Sequence, residues 1–207
     1  LSEDDAADPK QGTIAAQKIV DHGKVLGVIG HYNSGVTMAA NPVYAKANLF
    51  TITPSASNPD VVAKAMKTAS GSNSAYRMVA HDGMQGPAMA AYANKIGIKK
   101  VAIIDDATTY GKGLADKFEA KAKELGMEVV YREAATDKTT DFKAILTGIK
   151  AQNPDYVFWG GMDDTAATLV KQMRELGINA QFIGADGICT DKFIELAGEA
   201  GKGAICT

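Results

Sequence analysis

The residues of this chain whose types and spacing could do chemistry are concentrated in two short polar turns. Within residues 25–59, VLGVIGHYNSGVTMAANPVYAKANLFTITPSASNP, apolar runs at 25–29 and 49–53 each give way to small polar residues. Asn33 and Ser34 follow the first run, and Ser55 and Ser57 follow the second. Each turn leads into a helix-forming segment. In a parallel sheet such turns leave the carboxyl ends of their strands and can face one crevice. The first N–H groups of a helix have no intrahelical acceptor, so with serine hydroxyls beside them they suit a small anion such as a carboxylate. A lone serine at a helix start more often only caps it. Two hydroxyl turns at adjacent strand ends favour binding.

Patterns for catalysis are missing. Ser34 sits in Tyr-Asn-Ser-Gly-Val, without the flanking glycines of a nucleophile elbow. Gly27-Val28-Ile29-Gly30 is not a dinucleotide fingerprint, and no phosphate-loop motif occurs. His22, His31 and His81 are dispersed, and neither His-x-x-x-His nor Cys-x-x-Cys spacing is present. The acidic pairs Asp105-Asp106 and Asp163-Asp164 fall at a strand end and a helix start, where carboxylates usually cap. No enzyme activity, no metal and no cofactor is expected.

The elements that must position the turns alternate regularly. Asp8-Pro9-Lys10-Gln11 combines an N-cap, a proline at the first helical position and a capping-box glutamine, and the helix stops near Gly23. The run at 25–29 reads as a strand buried on both faces. A helix over 35–47, a strand over 49–53, a helix after Pro59 and a strand over 76–79 follow. Asp82-Gly83-Met84-Gln85 repeats the capping-box spacing. Strands at 101–104, 128–131, 156–159 and 181–183 then alternate with helices at 110–125, 142–151 and 165–176, before a short helix at 192–197 and an extended end at 204–207. This pattern predicts an α/β protein with doubly wound parallel sheets, its boundary near 79–81.

Composition narrows the class further. Hydrophobic residues make up 46% of the 207, enough for a substantial core, and a net charge of −2 without a basic block argues against a nucleic-acid partner. No apolar run approaches the roughly 20 residues needed to span a bilayer. Cys189 and Cys206 are either buried free thiols or, in an exported protein, a disulfide tying a loop to the strand that follows.

Taken in order, DPKQ at 8–11, VIGHYNSGVT, TPSASNP, Arg77 with Asp82 and the Gln85-Gly86 pair, YGKGLA, GGM and GADG resemble the leucine/isoleucine/valine-binding family of periplasmic receptors. No one motif is specific; their order and spacing are. The resemblance implies the type I periplasmic binding protein fold, in which two lobes capture an amino acid between them and deliver it to the membrane permease of an ABC transporter. It implies a periplasmic protein, or a lipid-anchored extracellular one in a Gram-positive cell, monomeric when complete. Residues 1–79 would be part of the N-terminal lobe, lacking its first strand and helix. Residues 80–207 would be most of the C-terminal lobe, ending near a hinge crossing. The chain would then be an internal fragment.

Positions matching Ser34 and Ser57 hold the ligand's α-carboxylate in this family, and the one matching Ser55 offers its backbone carbonyl to the ammonium. Asp186, in GADG, stands where the family often has Glu and is the implied ammonium partner, its carboxylate set back by about one methylene. The alternative for Asp186 is a plain turn residue before Gly187. Tyr110 matches a tyrosine beside the ligand, and Tyr32 and Met162, the latter where the family frequently has Tyr, would line the cleft; Met and Tyr at such places more often only pack. The family's disulfide in its first lobe is not expected, since Ala7 and Asn33 occupy the matching positions. Same-fold alternatives are a receptor for an aromatic amino acid, an amide or a small carboxylic acid, or the sensing domain of a signalling receptor.

Overall fold

A computed structural model describes residues 1–207. Contacts divide the chain into two units, Leu1–His81 and Asp82–Thr207.

The first unit opens with helix α1 (Pro9–Asp21), started by Asp8, whose carboxylate accepts from Lys10 N and Gln11 N at 2.9 Å. Strand β1 (Val28–Ile29) leads to α2 (Ser34–Lys46), β2 (Thr51–Thr53), the single-turn α3 (Asp60–Ala63) and β3 (Ala75–Arg77). The strands form a parallel sheet in the order β1-β2-β3. Helices α1 and α2 pack closely because Gly12 brings no side chain; a Cβ there would lie 2.3 Å from Val36 Cγ1. Ala16, Ala40 and Tyr44 form the buried centre of this unit.

The run at 25–29 departs from its expected burial on both faces. Only two of its residues pair as strand, and Leu26 and Ile29 are 91% and 87% exposed. Within this chain β1 pairs with β2 alone, which leaves its other flank uncovered.

The second unit runs α4 (Asp82–Lys95), β4 (Lys100–Asp105), α5 (Thr109–Glu124), β5 (Glu128–Ala134), α6 (Lys143–Gln152), β6 (Tyr156–Gly160), α7 (Asp163–Glu175), β7 (Gln181–Gly184) and α8 (Asp191–Ala197). A short 3-10 turn at Asp186–Ile188 separates β7 from α8. All strand pairs are parallel, in the order β5-β4-β6-β7.

Side chains alternate across this sheet with period two and so build a core on each face. Ala102, Ile104, Val157, Trp159 and Phe182 pack with residues of α6, α7 and α8. Val101, Ile103, Tyr156, Phe158 and Ile183 pack with residues of α4 and α5. Phe118 stacks on Phe158 at 4.0 Å between ring centroids, and Phe142 meets Trp159 edge-on at 5.9 Å. Burying each such ring contributes about 1.5–3 kcal/mol, and β4 and β6 form the buried centre of the unit.

The strand order places a topological switch point between β4 and β6: the connection through α5 goes to one side of β4, and the connection through α6 returns to the other. Ligands of doubly wound folds bind outside the carboxyl ends of strands at such a point. Beyond β7, Ile205 bridges Ile183 in parallel, and Cys189 and Cys206 are joined in a disulfide with their Cα atoms 5.7 Å apart.

Candidate functional site

In the first unit, the turns after β1 and β2 are bonded to one another. The Thr53 hydroxyl, fully buried at the end of β2, donates to His31 O at 2.7 Å and accepts from Ala56 N at 2.9 Å and Ser55 N at 3.3 Å. Ser34, the first residue of α2, is buried, and its Oγ accepts from Asn58 N at 3.2 Å. That bond uses a lone pair and leaves the Ser34 hydroxyl proton free to donate. Ser57 is 1% exposed, and its Oγ has no hydrogen-bond partner in the protein. Ser55 is half-buried beside it, and Tyr32 stands exposed on the first turn.

Beneath the first turn, the His31 ring lies between Asp5 and Tyr44. Nδ1 is 2.6 Å from the Asp5 carboxylate, Nε2 is 3.1 Å from the Tyr44 hydroxyl, and the ring stacks on Tyr44. Burial, with a smaller effect from the Asp5 charge, pushes the Tyr44 phenol up to about 12. The His31 carbonyl accepts from Thr37 Oγ1 as well as Thr53, so the ring and the carbonyl of one residue anchor the turn from two sides.

In the second unit, Tyr110 and Asp186 meet directly. Tyr110 is 5% exposed; its hydroxyl donates to Asp186 Oδ1 at 2.7 Å and accepts from Gly187 N at 3.1 Å. Burial first, and then the Asp186 charge, raises the Tyr110 phenol well above its ordinary range, so it remains a donor. Met162, half-buried, occupies the N-cap position of α7 at the end of β6, where its carbonyl accepts from Trp159 Nε1 at 3.2 Å. Asp82 is fully buried in the first turn of α4.

Close backbone approach shapes this end of the sheet. A Cβ on Gly187 would lie 2.7 Å from Gly161 O and 2.9 Å from the Tyr110 hydroxyl. One on Gly161 would lie 2.6 Å from the Trp159 ring and 2.8 Å from Asp106 Oδ2. Asp106 itself is buried. Its Oδ1 accepts from Thr108 N and Oγ1, its Oδ2 has no protein partner, and burial pushes the carboxyl up to about 6. No group of three His, Cys, Asp or Glu side chains lies close enough to hold a metal ion.

A sequence profile of the periplasmic binding protein family matches residues 1–207. The chain belongs to that family. An amino acid binding protein of Pseudomonas aeruginosa is 40% identical over 196 residues, which are 94% of this chain and 51% of that protein. A Leu/Ile/Val-binding protein homolog of Brucella abortus is 38% identical over 205 residues, covering 99% of this chain and 53% of its own length. Among solved structures, the leucine binding protein LivK of Thermotoga maritima superposes with a TM-score of 0.87 at 30% identity, over 95% of this chain and 55% of that one. The substrate binding protein LivJ of Streptococcus pneumoniae, solved with isoleucine, gives 0.84 at 28% identity, with 96% and 55% covered. The fold is that of a type I periplasmic binding protein. The chain spans about half the length of the binding proteins it matches.

Two residues of this binding-protein chain escaped the sequence reading. Thr53 ends an apolar strand in the segment Thr-Ile-Thr-Pro and reads there as a strand residue. Its hydroxyl nonetheless links the two turns, as the bond from Asn58 N to Ser34 Oγ also does. His31, a lone histidine, acquires its place only when α2 brings Tyr44 under it and the segment before α1 brings Asp5. Neither has a motif that marks it. A threonine directly before a Pro-Ser turn is the nearest available signal for Thr53.

Proposed function

We propose that this chain is part of an extracytoplasmic receptor that captures a branched-chain amino acid and passes it to an ABC transporter permease in the membrane, without catalysis. The first unit is assigned to the N-terminal lobe and the second to the C-terminal lobe. Ser34 and Ser57 hold the α-carboxylate through their hydroxyls and the N–H groups of their turns. The Ser55 carbonyl accepts from the ammonium, and Asp186 neutralises it. Tyr110 lies on the Asp186 side, and Tyr32 and Met162 supply apolar surface for the ligand's side chain, a thioether and a ring suiting an aliphatic group. The protein is placed in the periplasm or, lipid-anchored, on a Gram-positive cell; no helix is long and apolar enough to cross a membrane.

The observation that carries this reading is Ser57. A hydroxyl buried at 1% exposure without a partner costs about 1–3 kcal/mol. A ligand carboxylate on the same turn would remove that cost. The names of the relatives support the amino-acid class: leucine, isoleucine and valine are the ligands their descriptions give. In the full-length gene product, Ser57→Ala is expected to weaken leucine binding about tenfold or more, since a hydrogen bond to a charged group is worth about 1.5–3 kcal/mol, with no fall in the melting temperature of the unliganded protein. Unchanged affinity would remove Ser57 from the site.

A further inference from the structure

Tyr110 was expected to lie beside the ligand, yet both polar capacities of its hydroxyl are committed within the protein. It donates to Asp186 Oδ1 and accepts from Gly187 N. The same short turn is gripped from a second helix. Gln85, in the first turns of α4, accepts from Asp186 N at 3.3 Å through its Oε1. Three hydrogen bonds from side chains 101 and 76 residues away in sequence thus converge on two consecutive residues. Gly187 closes the arrangement, because any side chain there would strike Gly161 O and the Tyr110 hydroxyl. Asp186 is left half-buried with Oδ1 occupied and its second carboxylate oxygen unbound by protein.

We propose that Tyr110 and Gln85 are positioning residues that set the receptor's selectivity for an amine, Tyr110 by fixing the Asp186 carboxylate and Gln85 by fixing its backbone. This rests on the assignment of Asp186 to the ligand ammonium. An aspartate on a loose turn would sample several rotamers, and a cation gains most from a carboxylate whose direction is already fixed. The phenol's raised range keeps it protonated at any physiological pH, so the bond to Asp186 persists. A carboxylate one methylene shorter than glutamate has less reach, which gives the fixed direction more weight.

Selectivity for an amine can be read apart from general damage to the site by comparing leucine with 4-methylpentanoate, which lacks only the amino group. Calorimetric affinities for both would be measured on the full-length gene product, its Tyr110→Phe and Gln85→Met variants, and Asp186→Asn. Asp186→Asn is expected to bring the two affinities together. Tyr110→Phe is expected to reduce the leucine preference about tenfold, and Gln85→Met about threefold, while 4-methylpentanoate binding changes less than about twofold. If Asp186→Asn leaves the preference intact, or the unaltered protein has none, the ammonium assignment is wrong and the positioning role falls with it. If Asp186→Asn abolishes the preference but Tyr110→Phe and Gln85→Met weaken both ligands equally, or neither, the positioning role alone is overturned. Should Tyr110→Phe fail to fold, Gln85→Met still decides the outcome.

Discussion

Asp106 shows how a single buried group links the site's surroundings to pH. Its carboxyl is raised from 3.8 to about 6, chiefly by burial, with the neighbouring charges of Asp105 and Asp137 adding to the effect and bonds from Thr108 opposing it. The folded state therefore holds the proton more tightly than the unfolded chain. Stability from this group is complete below pH 3.8 and is lost as pH rises through about 6, to a limit of about 3 kcal/mol. Asp106→Asn keeps the acceptor used by Thr108 and carries no charge. The melting temperature of the variant relative to the unaltered chain is expected to rise between pH 4.5 and pH 7.5; a difference independent of pH would show that Asp106 is not proton-linked. Asp105 next door differs, because Arg132 pairs with it and with Asp116 and Glu119. Two adjacent aspartates that look equivalent in sequence thus have opposite surroundings, one paired and one with an oxygen left over.

At the scale of elements, the strand-turn-helix units stand where small residues let them approach. Gly111, in the first turn of α5, faces the end of β6: a Cβ would lie 2.2 Å from Asp106 Oδ1 and 2.3 Å from Gly160 O. A backbone carbonyl cannot swing aside as a flexible side chain can. Gly111→Ala is therefore expected to destabilise the second unit by about 2 kcal/mol, although alanine favours helices over glycine by about 1 kcal/mol. Thermal unfolding would register a fall of about 5 °C, and an unchanged midpoint would contradict the close approach of α5 to β6. Much of this layer was legible in the sequence. The caps at Asp8 and the glycines that stop helices near 23, 97 and 126 mark boundaries by chemistry local to a few residues, and the α/β alternation follows from them. Which neighbours the apolar run at 25–29 pairs with was not legible, since an apolar pattern marks a strand without naming its partners. The bonds from Thr53 to His31 and from Tyr110 to Asp186 were not legible either. They join residues 22 and 76 apart, and no local pattern encodes which hydroxyl meets which acceptor.

For the whole molecule, the proposed function assigns the ligand's carboxylate to residues of the first unit and its ammonium to Asp186 of the second. The first carries hydroxyls and turn N–H groups, donors suited to an anion; the second carries Asp186, an acceptor suited to a cation. The family and fold are shared with binding proteins about twice the chain's length, so ligand measurements belong on the full-length gene product. There, a thermal-shift panel of leucine, isoleucine and valine against their deaminated counterparts probes both charges at once. Ligand at a hundred times its dissociation constant stabilises the folded state by about 2.7 kcal/mol, a shift of several degrees. The proposed receptor predicts that shift for the three amino acids and its loss for the deaminated acids. Equal shifts with the deaminated acids would make this a carboxylic-acid receptor and remove Asp186 from the site, and no shift with any of them would contradict the amino-acid function itself.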